Sequence, residues 1–129
     1  MFYEVRLTIP KNTSAAAPVS TVIYIHPGTV KQIEIIFPHG CVGLVHAQLF
    51  YESSQVWPSN INSDFAGDDV RIVFNEDYEI KSTPFEIGVK GWNEDDTYPH
   101  TVTVRLQITT AEKTLLAVLQ SFILGPRRG

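Results

Sequence analysis

Apolar and polar residues alternate along most of this chain. From position 100 to 109, Val102, Val104, Leu106 and Ile108 fall on one parity; Thr101, Thr103, Arg105, Gln107 and Thr109 fall on the other. Side chains of a strand point to its two faces in turn, so this pattern predicts a strand with one buried and one wet face. The same reading holds for Phe2–Ile9, where Tyr3, Val5, Leu7 and Ile9 oppose Glu4, Arg6 and Thr8. It holds for residues 70–75, with Val70, Ile72 and Phe74 inward, and for residues 85–92, with Phe85, Ile87 and Val89 inward. Residues 19–26 and 43–52 are largely apolar on both faces, and 30–37 partly so, because Ile36 joins Gln32 and Glu34. Strands of that kind are expected at the centre of a sheet or under a neighbouring subunit.

Turn signals separate these runs in the spacing of an all-β domain. The longest predicted loop is 53–67, rich in Ser, Asn and Pro, and residues 10–18 form another. Seven strands that reverse at every connection put loops 27–29, 53–67 and 93–99 at one end. Loops 10–18, 38–42 and 76–84 then fall at the other. The expected architecture is an all-β, seven-stranded antiparallel β-sandwich of jelly-roll or immunoglobulin-like type, between which the pattern does not choose. Near the C-terminus the period changes. Thr109-Thr110-Ala111-Glu112 matches a capping box, Leu115, Leu116, Val118, Leu119, Phe122 and Ile123 follow at helical spacing, and Gly125-Pro126 forms a stop. This predicts a sandwich domain over 1–110 and a helix with tail over 111–129. A strand over 115–124 fits the same apolar run. A segment so apolar needs cover from its own domain or from another subunit.

Composition narrows the class. The chain has 129 residues, enough for one domain with its own core. A net charge of −4 and scattered Lys and Arg argue against a nucleic-acid partner, since the only basic pair of note is Arg127-Arg128. No secretory signal and no membrane-length apolar run are visible, so no membrane partner is expected and synthesis in the cytoplasm is. The single cysteine, Cys41, excludes an internal disulfide and a four-cysteine zinc site.

Candidate chemistry is sparse. Asp64, Asp68, Asp69, Asn93, Glu94, Asp95 and Asp96 group near Trp57, Trp92 and Tyr98. Asp68, Asp69, Asp95 and Asp96 are weak calcium candidates, although no EF-hand spacing is present and acidic turns kept in water explain them equally. A glycosidase pair would need two carboxylates at a defined separation, which nothing in the sequence supplies. Trp57 and Trp92 would stack on a sugar or a protein surface if exposed, or plug the sandwich if buried. His39, Cys41 and His46 would suit zinc or a Cys–His nucleophile only with companions the chain lacks. No catalytic residue, cofactor or metal is therefore expected, and the chain reads as a non-enzyme. Parity also predicts that Val104→Asp unfolds the chain, while Arg105→Ala has little effect unless the outer face is an interface.

Phe37-Pro38-His39-Gly40-Cys41, Gly43-Leu44-Val45, Trp57-Pro58-Ser59-Asn60, Gly67-Asp68-Asp69 and the run from Trp92 to His100 together resemble small jelly-roll-like β-sandwich proteins of tailed-phage virions. The resemblance spans roughly residues 30–110 by the all-β pattern. It implies a bacteriophage structural protein, located in the virion, that decorates or cements a capsid or other virion surface. The implied partners are further copies of the chain, with a trimer favoured, and a viral shell or tail protein. The partner-binding candidates are Trp57, Trp92, Tyr98, Leu115, Leu119 and Phe122. A carbohydrate- or ligand-binding sandwich module is the alternative.

Overall fold

The structure is a computed structural model that describes residues 1–110. Nine strands form in chain order: β1 Phe2–Ile9, β2 Val19–Tyr24, β3 Gly28–Phe37, β4 Val45–Tyr51, β5 Ser54–Trp57, β6 Phe65–Ala66, β7 Val70–Ile80, β8 Glu86–Asn93 and β9 His100–Thr110. Seven of them sit on the seven runs the sequence marks, four by alternation and three by apolar residues on both faces. They assemble into a sheet ordered β1-β9-β3-β7 and a sheet ordered β2-β8-β4-β5, with β6 also paired to β4. Every pairing is antiparallel. The result is an all-β sandwich. The helix expected over 111–129, with Leu115, Leu119 and Phe122, lies outside the described residues. Thr109 and Thr110 belong to β9, opposite Thr29 and Gly28 of β3.

Pairing runs from the outside of the sequence inward: β1 with β9, β2 with β8, β3 with β7, and β4 with β5 and β6. The chain behaves like one long antiparallel ribbon folded over on itself. The fold brings β9 beside β3 and β8 beside β4, which closes the two sheets. The inward parity of each strand meets in the middle. Ile33, Ile35 and Phe37 of β3, Val45 and Leu49 of β4, Ile87 and Val89 of β8, and Val102, Val104 and Leu106 of β9 are fully buried there. A buried side chain of this kind contributes roughly 1.5–3 kcal/mol, which sets the register of each strand, since a slip of one residue would turn every one outward.

The predicted loop 53–67 contains two of the strands. Trp57 pairs opposite Leu49 and Phe65 opposite Ala47, so β5 and β6 together line the free side of β4 as one interrupted strand. Residues 58–64 leave the ladder between them, so no run of alternation is long enough to mark it. This missed strand adds one reversal and swaps two loops between the ends. Residues 93–99 join loops 10–18 and 38–44, shown by Asn12 N–H to Asp95 O (2.9 Å), Thr13 N–H to Asn93 O (2.9 Å) and Glu94 N–H to Leu44 O (2.9 Å). Residues 81–85 fall at the opposite end, where Ile25 N–H reaches Phe85 O (3.0 Å) and Tyr51 Oη–H reaches Ser82 O (2.7 Å).

Two further expectations change. β7 runs on to Ile80 because Glu76 occupies an inward place in the alternation, where Trp57 Nε1–H donates to Glu76 Oε2 (3.0 Å). The both-face apolar strands also separate. β3 and β4 are interior, as expected, but β2 is an edge strand whose Tyr24 is 73% exposed.

Candidate functional site

Loops 10–18, 38–44, 67–69 and 94–99 cluster at one end of the sandwich, and Asn93 is their hub. It continues the inward parity of Ile87 and Val89 and is fully buried at the end of β8. Its backbone exchanges two hydrogen bonds with Thr13, at 2.9 and 3.0 Å. Its Nδ2 donates to Ile9 O (3.2 Å) and Tyr98 O (3.0 Å), and its Oδ1 accepts from Asp95 N–H (2.9 Å). A buried amide is tolerated only when so satisfied. Sequence reading grouped Asn93 with the acidic loop residues, although its inward parity marked it as buried.

The 38–44 loop is held from across the end. Asp68 Oδ1 accepts the N–H groups of Gly40 and Val42, both at 2.9 Å. These bonds, that from Val42 foremost, keep the Asp68 carboxyl below its usual value. The turn they stabilise carries Gly40 at φ 105°, Val42 at φ 51° and Gly43 at φ 73°. Glycine adopts such angles freely, but a β-branched residue there is strained. Val42 is nonetheless 69% exposed at the loop tip. Cys41, its neighbour, points into the core, and burial pushes its thiol up to about 11, with Asp68 and Asp95 adding to the shift. A thiol of that kind is a poor nucleophile.

The histidines do not converge on one another. His39 is exposed, 3.9 Å from Asp68; Cys41 is in the core; His46 lies on the outer face of the β2-β8-β4-β5 sheet. Each histidine at this end instead faces acid. His100 Nε2 lies 2.8 Å from Asp95 Oδ2, and that bond, with Thr97 N–H and Tyr98 N–H, holds the Asp95 carboxyl below its usual value. His46 Nδ1 is bonded to Asp64 Oδ1 at 2.6 Å, while its ring stacks on Trp92 with centroids 5.1 Å apart and planes 10° apart. Glu94 Oε1 lies 2.9 Å from His46 Nε2.

Three of the four calcium candidates accept hydrogen bonds within these loops. Asp68 binds two backbone amides, Asp95 binds His100 and two backbone amides, and Asp96 accepts from the Thr97 hydroxyl at 2.8 Å. Asp69 has its own backbone N–H on Pro38 O (3.3 Å) and sits at φ 49°. Among the described residues no three His, Cys, Asp or Glu side chains are grouped so as to hold a metal ion.

The aromatic candidates separate as well. Trp57 is 1% exposed, packed edge-on to Tyr78 at 5.2 Å, so it is a core residue and not a binding platform. Its inward position on β5 follows from the strand that the loop reading omitted. Trp92 is half-buried against His46, and Tyr98 is 64% exposed. Trp57 and Trp92 therefore do not form one stacking surface.

The outer face of the other sheet carries an arrangement that alternation alone did not reveal. Glu4, Arg105 and Glu34 lie side by side on β1, β9 and β3, with Arg105 Nε 2.8 Å from Glu4 and Nη1 3.1 Å from Glu34. Arg71 of β7 approaches Glu34 at 3.5 Å. Glu34 is only 6% exposed between the two guanidinium groups.

No helix among the described residues is long and apolar enough to cross a membrane. No protein-family model matches the chain, and none of the curated proteins matches it.

Proposed function

We propose that this protein is a non-enzymatic structural component of a virus particle, a jelly-roll sandwich that decorates or cements a virion surface as a symmetric oligomer. The nested pairing of first strand with last supports the jelly-roll form. In immunoglobulin-like sandwiches the first two strands share a sheet, whereas here β1 and β2 lie in different sheets.

One observation carries the assembly reading. Among the described strands, the large apolar side chains that face solvent all lie on edge strands. They are Phe2 of β1 (61% exposed), Tyr24 of β2 (73%), and Val70 (36%) and Val73 (39%) of β7. Soluble monomers blunt such edges with charge, because unpaired backbone beside apolar side chains invites association. Closed cyclic symmetry is the usual way for identical chains to cover them, and a trimer is the form favoured here. A viral shell or tail protein is the second partner, and neither nucleic acid nor membrane is one.

Light scattering of the full chain tests the assembly. A discrete oligomer is expected, and Tyr24→Lys or Val73→Lys is expected to dissociate it without unfolding the sandwich. A strict monomer at high concentration would overturn it. The virion assignment is tested by the neighbouring genes: capsid or tail genes are expected beside this one, and none within the locus would sink it.

A further inference from the structure

His46 is caught between two carboxylates supplied by two different loops. Asp64, from the 58–64 excursion, bonds Nδ1 at 2.6 Å, and Glu94, from the 94–99 loop, stands 2.9 Å from Nε2. Glu94 lies off the N–H direction, so Nε2 has charge contact but no hydrogen bond, and it has no access to solvent. Trp92 of β8 stacks on the ring, and Ala66 of β6 is the residue opposite. The other titratable pair at the 94–99 loop, Asp95 and His100, is joined by its own bond at 2.8 Å. The cation on this face, Lys90, is placed over the Phe50 ring at 4.3 Å.

A neutral imidazole carries one proton on its two nitrogens. Whichever nitrogen holds it, the other stands unprotonated 2.6 or 2.9 Å from a carboxylate oxygen. That contact is repulsive, and for Nε2 no water relieves it. The imidazolium removes the conflict, because both nitrogens then carry protons and the ring charge attracts both acids. It also improves the stack on Trp92, since a cation over an indole face is favourable.

We propose that His46 is a proton-operated clamp: its protonated form holds the 58–64 and 94–99 loops against β4, and its deprotonation releases Glu94 and the loop that carries it. Histidine is suited to this because its charge changes between about pH 5 and pH 8. The loop end of the sandwich thereby has two states, closed in mild acid and loosened as pH rises. The inference does not depend on what the protein decorates.

The test uses the full chain in hydrogen exchange, read as protection factors so that the intrinsic pH effect is removed. Amides of residues 94–98 are expected to lose about tenfold in protection between about pH 5.5 and pH 8, while β9 amides stay unchanged. Trp92 emission is expected to rise over the same interval as the stacked imidazolium is lost, and His46→Gln should abolish that inflection. Glu94→Gln is the decisive variant. Its amide donates to the neutral ring, so protection of 94–98 should become independent of pH while the Trp92 inflection persists. Equal protection of 94–98 at both pH values in the unaltered chain would overturn the proposal, as would a pH-dependent loss that survives in Glu94→Gln.

Discussion

Replacing Asn93 with alanine removes three side-chain hydrogen bonds from a fully buried position. It leaves Ile9 O, Tyr98 O and Asp95 N–H without that partner, while the backbone bonds to Thr13 remain. At about 1 kcal/mol net for each bond the loss is ~3 kcal/mol. That is a large share of the roughly 5–15 kcal/mol that holds such a domain folded. It corresponds to a fall in Tm of roughly 10–15 °C for a chain of this length. Thermal unfolding followed by circular dichroism near neutral pH reads it directly. Asn93→Asp sharpens the test, because a carboxylate only accepts and would face two carbonyl oxygens in a dry site with no cation. Its folded-state pKa would rise above the unfolded value of about 3.9. Stability is then fully present below the unfolded pKa and lost as pH rises through the raised folded one. Asn93→Asp should therefore melt below Asn93→Ala at neutral pH, and the gap should close in acid. An Asn93→Ala protein melting within about 3 °C of the unaltered chain would refute the hub assignment. So would a gap between Asn93→Asp and Asn93→Ala that widens in acid.

Val104 is fully buried, so Val104→Asp should leave no cooperative melting transition, whereas Arg105→Ala should stay folded with a lower Tm, because Glu34 loses its nearer guanidinium; comparable losses in the two would contradict the facing of β9. Val42→Gly should raise stability by about 1 kcal/mol or less, since an L side chain at positive φ costs roughly 1–2 kcal/mol and glycine gives part of that back in unfolded-chain freedom; a lower Tm would contradict this. Asp68, with its carboxyl below the ordinary 3.8, adds stability that is present above that value and lost as pH falls through the depressed one. Asp68→Asn should accordingly melt lower than the unaltered chain at neutral pH and converge with it in strong acid, and a constant gap across pH would contradict the pin.

Sequence alone located seven strands and the facing of the four that alternate, because alternation over five or more residues reports directly which side chains leave water. β9 is the clearest case, with Val102, Val104 and Leu106 buried on the expected parity. It did not locate β5 and β6, whose core-facing Trp57 and Phe65 are separated by the 58–64 excursion and so have no local period. One uncounted reversal then moved the 93–99 loop to the wrong end and turned Trp57 from a core residue into a binding candidate. Tertiary structure alone decided strand order, which depends on pairing between residues as distant as Phe2 and Gln107. It also decided which polar groups meet. Asp68 reaching Gly40 and Val42, Glu34 lying between Arg105 and Arg71, and His46 caught between Asp64 and Glu94 are contacts across strands and loops. Residue spacing carries no trace of them. Local pattern reports how each residue partitions between water and core; only the closed fold sets which charges and hydrogen bonds come within reach of one another.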